Sequence, residues 1–88
     1  MEEKNNDGMQ VIILQNKDIE LNRIDNVKVI RVKDEKYNLL IMRDYWPVIG
    51  EINGDVYLDG EKEQEFENIK GFYMLSHNVF RLIIVEDN

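Results

Sequence analysis

Val48-Ile49-Gly50-Glu51-Ile52-Asn53-Gly54-Asp55-Val56-Tyr57-Leu58-Asp59-Gly60 is the stretch whose reading decides the fold. Val48 to Ile52 has strand character. Asn53-Gly54 is the strongest hairpin-turn signal in the chain, because both residue types tolerate the positive φ that tight hairpin turns demand. Val56 to Leu58 returns as a strand, and Asp59-Gly60 marks a further turn. The stretch therefore predicts two hairpins in succession and an all-β chain.

The segments on either side extend the pattern. Upstream, Tyr37 to Met42 is a compact strand ended by Arg43-Asp44 and the bulky Tyr45-Trp46-Pro47 turn. Pro47 cannot donate to a ladder, so it marks an edge or a corner. In Val27 to Lys33 the apolar residues change parity, with Val27 and Val29 on one face and Ile30 and Val32 on the other. A bulge or burial on both sides accounts for that change. Met9 to Leu14 is a short β-branched run, and Ile19, Leu21 and Ile24 alternate with one slip, so both read as strands. Downstream, Glu61 to Ile69 is the one stretch where a helix competes, through Phe66 and Ile69. An exposed strand is preferred because the flanking turns are spaced for hairpins. Phe72 to Leu75 and Val79 to Val85 flank Ser76-His77-Asn78 as a further hairpin, and Val79 to Val85 is apolar on nearly both faces, as in a centrally buried strand.

The expected fold is all-β: an antiparallel two-sheet sandwich or flattened barrel of about eight to ten short strands, forming one domain over 9–87. The polar residues 1–8 read as a disordered leader.

An 88-residue chain supports one core of modest stability, which a permanent partner would reinforce. There are no cysteines, which excludes disulfides, thiolate catalysis and cysteine-bound metals and fits a reducing cytoplasm. The longest apolar runs, Leu39 to Met42 and Leu82 to Val85, are far too short to cross a bilayer, so no direct membrane insertion is expected. Eleven Lys and Arg stand against eighteen acids, for a net charge of −7, and form no basic stripe, so nucleic acid is not an expected partner.

The residues offer little chemistry. Ser76 and His77 are the only Ser and His, and Thr is absent. Neighbours in a tight turn point different ways, and no orienting carboxylate completes a triad. Asn53, Asp55, Asp59 and Glu61 hint at a calcium loop, but Tyr57 occupies a ligand position. Glu61, Glu63, Glu65 and Glu67 recur every second residue, as on a solvated strand face that blunts edge-to-edge aggregation. Gly50, Gly54, Gly60 and Gly71 are isolated and form no phosphate loop. No catalytic residue, metal or cofactor is expected. The least ordinary segment is Arg43-Asp44-Tyr45-Trp46-Pro47, with two large aromatics in a charged turn. Such aromatics are either interface anchors or a lid folded back on the end of the barrel.

With that layout, Met9 to Glu86 resembles the N-terminal domain of the epsilon subunit of F-type ATP synthases. The family's short first strand, polar break and second strand pair are matched by Met9 to Leu14, Asn16 to Asp18 and Val27 to Val32. Its strand ending in a proline turn is matched by Leu39-Leu40-Ile41-Met42-Arg43-Asp44-Tyr45-Trp46-Pro47-Val48-Ile49. Its later glycine turn, phenylalanine strand, glycine-aromatic step and closing hairpin correspond to Asn53-Gly54-Asp55-Val56, Glu63 to Phe66, Gly71-Phe72-Tyr73, and Asn78-Val79 leading to Leu82-Ile83. Tyr45 stands where the family usually has histidine, Trp46 where it has a small residue, and Lys70-Gly71 carries one glycine where two are usual. These departures suit a divergent member or a specialised ATPase related to the synthase. The family's C-terminal helical hairpin has no counterpart after Asn88, so its regulatory functions are not expected here.

The resemblance implies a non-catalytic central-rotor subunit that couples the gamma subunit to the proteolipid ring of a proton- or sodium-translocating ATPase. Such a subunit is cytoplasmic and peripheral to the membrane through its complex. The family's ring-facing loops map onto Asp34 to Asn38 and Arg43 to Trp46, which makes Asn38, Arg43, Asp44, Tyr45 and Trp46 the expected partner interface. A rival expectation is a stand-alone β-barrel module that binds a small ligand or protein through Tyr45, Trp46 and Tyr73.

Overall fold

The computed structural model describes residues 8–15 and 20–87. Six strands follow in order: β1 (Met9–Gln15), β2 (Glu20–Asp34), β3 (Asn38–Ile41), β4 (Val48–Gly60), β5 (Gln64–Ser76) and β6 (Val79–Asp87). The all-β expectation holds, and the described residues contain no helix. The expected leader lies outside the described residues except for Gly8.

Hydrogen-bonded neighbours run β1-β6-β5-β4-β2-β3, and a further β1–β2 ladder closes β1, β6, β5, β4 and β2 into a five-stranded barrel. All strands therefore share one continuous sheet, and a separate second sheet is not confirmed. One ladder, β1–β6, is parallel, whereas the rest are antiparallel. Parity requires this departure from the antiparallel expectation. Strand direction can alternate all the way round a closed ring only if the number of strands is even, so a ring of five must contain a parallel pair. Residues 30–33 of β2 pair with β3 along one edge and β4 along the other, which leaves β3 as a flap outside the ring.

The structure has fewer and longer strands than the turn signals predict, because three places read as breaks are crossed without interrupting the ladder. At the first, Asn26 adopts φ 57° and the register against β4 shifts between Val27 and Val29. This is the bulge that the parity change predicts, and it places Val27, Ile30 and Val32 all in the core. At the second, β4 runs straight through Asn53-Gly54, so the expected hairpin there is not formed. No glycine among the described residues has positive φ. Gly54 instead serves close packing: a Cβ there would lie 2.1 Å from the Lys33 carbonyl oxygen of β2. The matching bulge is in β5, where Asn68 has φ 57° and its amide donates to Asp55 Oδ1 at 2.9 Å. At the third, Gly71 keeps β5 continuous, since a Cβ there would meet the Ile83 carbonyl oxygen at 1.9 Å. The preference for a strand over a helix at 61–69 holds from Gln64 onward, and Glu61 to Glu63 belong to the β4–β5 turn.

The core fills the barrel with apolar side chains from every strand, and among the described residues no polar or charged residue is buried. Phe80 is among the largest fully buried side chains, and its ring stacks on Tyr73 with centroids 5.5 Å apart. Near the opposite end of β3 from the Trp46 turn, Tyr37 and Tyr73 bring their hydroxyls to 2.8 Å. The Tyr37 hydroxyl donates to the Glu51 carbonyl, so its bond with Tyr73 has Tyr73 as donor.

Burial, followed by the bond to Tyr37, pushes the Tyr73 phenol above its ordinary value of 10.0. A proton bound more tightly in the folded state stabilises it fully below the unfolded value. That stabilisation is lost as pH rises from about 10 toward the folded value. Urea unfolding from pH 8 to 11.5, roughly spanning the unfolded tyrosine range, is expected to show wild type losing stability more steeply above pH 10 than Tyr73→Phe. Parallel curves would disprove the linkage.

Candidate partner-binding end of the barrel

The five residues expected at an interface divide between the two ends of β3. Asn38 opens β3, exposed and opposite Lys33, beside the β2–β3 turn. Arg43, Asp44, Tyr45 and Trp46 follow its other end. Three strand steps from Asn38 to Ile41 span about 10 Å, so the two expected ring-facing loops are not brought together.

Within the β3–β4 turn the two aromatics have different roles. Tyr45 is half-buried and packs against the core, while its amide donates to the Met42 carbonyl at 3.2 Å. Trp46 is 82% exposed. The two rings therefore differ: Tyr45 packs against the core and Trp46 projects from it. Arg43 and Asp44 are exposed beside them.

Sequence reasoning missed a partner of this turn. The Asp44 amide donates to Asn78 Oδ1 at 2.6 Å, and Asn78 Nδ2 donates back to Asp44 Oδ1 at 3.1 Å. Asn78 belongs to the β5–β6 hairpin, which forms as predicted, with His77 and Asn78 at φ 51° and 63° in a two-residue turn. No local signal links residues 34 apart, although Asn in a positive-φ turn identifies the hairpin itself. Ser76 Oγ and His77 Nδ1 lie 3.0 Å apart in that exposed turn.

The ligand-module expectation needs Tyr45, Trp46 and Tyr73 around one cavity, and the structure separates them. Tyr73 is buried in the core and Trp46 points outward. A concavity of about 790 Å³, open to solvent, is lined by residues such as Asp34, Tyr37, Glu51, Phe72 and Tyr73, with neither Tyr45 nor Trp46. Among the described residues no cluster of three or more His, Asp or Glu could hold a metal ion.

The outside of the barrel is amphipathic. On β2 and the adjoining half of β4, Arg31 pairs with Tyr57 and Lys33 with Asp55, and the Lys33 ammonium lies 5.6 Å from the Tyr57 ring centroid. On the other side, Ile49 pairs across strands with Met74, and Phe72 with Ile83. These four and Val85 are exposed, Ile49 by 74%. Together they form an exposed apolar face on β4, β5 and β6, a feature found at many interaction surfaces.

The chain matches no protein-family profile and no curated protein sequence. Among solved structures it is similar to a chain of the Tetrahymena thermophila mitochondrial ATP synthase central stalk and c-ring, determined by cryo-electron microscopy. The TM-score is 0.73 at 14% identity, over 94% of this chain and 67% of that one. The likeness establishes a shared fold.

Proposed function

We propose that this protein is a non-catalytic subunit of the central rotor of an F-type ATP synthase or ATPase, translocating protons or sodium ions. In this role it couples the gamma subunit to the proteolipid ring, as the epsilon subunit's N-terminal domain does. The observation that carries the reading is the likeness of nearly the whole fold to a chain from an ATP synthase central stalk. The sequence elements from Met9 to Glu86 support the same family by their order. The unpartnered apolar face on β4, β5 and β6 supports a permanent partner, since a lone monomer would leave Ile49, Phe72 and Ile83 in water. A closed barrel with a packed interior gives the stiffness that mechanical coupling requires.

On this reading Arg43, Asp44, Tyr45 and Trp46 lie at the ring-facing end, Asn38 stands apart from them, and the complex holds the protein at the cytoplasmic face of a membrane. The test is calorimetric titration with the gamma subunit of the F-type ATPase from the same genome. A one-to-one complex with a Kd below about 1 µM, worth roughly 8 kcal/mol, is expected. No association at about 100 µM, with gamma alone or with gamma assembled on the ring, would overturn the assignment.

A further inference from the structure

The turn that carries Trp46 is tied on both sides. Before it, Asp44 and Asn78 exchange two hydrogen bonds, and Tyr45 is anchored by its contact with the core and its bond to Met42. After it, Pro47 has a fixed φ and Val48 is already paired with Leu75. Asn78 is itself held, because its carbonyl accepts from the Gln10 amide of β1 at 3.0 Å. Asp44 and Asn78 both adopt left-handed backbone conformations, φ 66° and 63°. Asn and Asp enter this region more readily than other side chains, which suits both to these turns. The Asn78 side chain bonds both the amide and the carboxylate of Asp44, so the two left-handed turns are held together through it.

We propose that Asp44 and Asn78 form a latch that fixes the β3–β4 turn against the β5–β6 hairpin and presents Trp46 to a partner in its bound position. Asp44 and Asn78 are positioning residues, and the binding end is a composite of two loops. A large ring held outward before binding has less rotational freedom to lose on association, so the latch contributes affinity without contact. The identity of the partner rests on the rotor reading, whereas the hold on Trp46 does not.

Trp46 is the only tryptophan, so its fluorescence anisotropy decay reports the motion of this turn alone. Asn78→Gly removes both hydrogen bonds of the latch while keeping a residue at ease with φ 63°, whereas Asp44→Gly removes only the bond from Asn78 Nδ2 and keeps the 2.6 Å bond from its own backbone amide. Both variants are expected to fold with near wild-type circular dichroism and to show a larger fast, local component in the decay. The double variant should be no more mobile than Asn78→Gly, because loss of the Asn78 side chain already removes both bonds. Affinity for gamma assembled on the ring should fall about tenfold in Asn78→Gly and by less in Asp44→Gly. An unchanged decay in both folded variants would overturn the latch. A changed decay with unchanged affinity would overturn its contribution to binding. If the wild type binds no rotor partner, the rotor reading fails, and the anisotropy still decides whether the latch holds Trp46.

Discussion

Phe80→Ala is expected to lower the free energy of unfolding by about 3–5 kcal/mol, the usual cost of removing a fully buried phenylalanine from a core that cannot collapse into the space. Phe80 is completely shielded in the barrel interior, flanked along β6 by the buried Leu82 and stacked on Tyr73. A domain of this length is stable by roughly 4–13 kcal/mol, so the variant stands near the edge of folding at room temperature. Urea unfolding measures the loss as a lower midpoint at an unchanged slope. Phe72→Ala on the outer face is the internal control: Phe72 is about half exposed, and its truncation should cost about 1 kcal/mol or less. Equal losses for the two phenylalanines would contradict the division between a packed interior and an apolar exterior.

Trp46→Ala is expected to weaken binding to the gamma subunit assembled on the ring by about 2 kcal/mol or more, roughly thirtyfold in Kd, and to leave the unfolding midpoint almost where it was. Trp46 is nearly fully exposed, so its truncation opens no cavity, whereas an exposed aromatic is the kind of residue that anchors an interface. Tyr45→Ala should behave in the opposite way, destabilising the isolated domain because Tyr45 packs on the core. The two substitutions have to be made separately, since a combined variant mixes the two costs. Unfolding and titration on the same preparations distinguish them. Normal binding by a folded Trp46→Ala protein would remove Trp46 from the interface.

Much of the fold can be read in the chain, because local backbone requirements leave marks on local sequence. The parity change from Val27 to Val32 announces a bulge, and Ser76-His77-Asn78 announces a hairpin; both form where expected. Asn53-Gly54 misleads for a specific reason. Glycine is selected both where φ must be positive and where another backbone passes too close for a Cβ, and a single sequence does not separate the two. At Gly54 the cause is the Lys33 carbonyl, so a strand continues where a turn is signalled. The same ambiguity at Gly71, together with the bulges at Asn26 and Asn68, lengthens the strands and reduces their number. The parallel β1–β6 ladder leaves no local mark, because it follows from the count of strands in the ring. The candidate site divides in the same way. Aromatics in a charged turn draw attention to Tyr45 and Trp46, but which ring faces inward depends on packing, and the Asp44–Asn78 pair depends on a fold that brings two distant turns together.

The parallel ladder also governs how the protein is made. The ring closes only when β1, near the start of the chain, meets β6. At about 5–20 residues per second, the roughly sixty residues separating these strands take the ribosome several seconds to add. During that interval β1 can pair with β2, but its second edge and the inward-facing Val11 and Ile13 have no β6 to receive them. The nascent chain is therefore an open sheet with exposed apolar residues until β6 emerges, and a product lacking β6 is expected to be prone to aggregation.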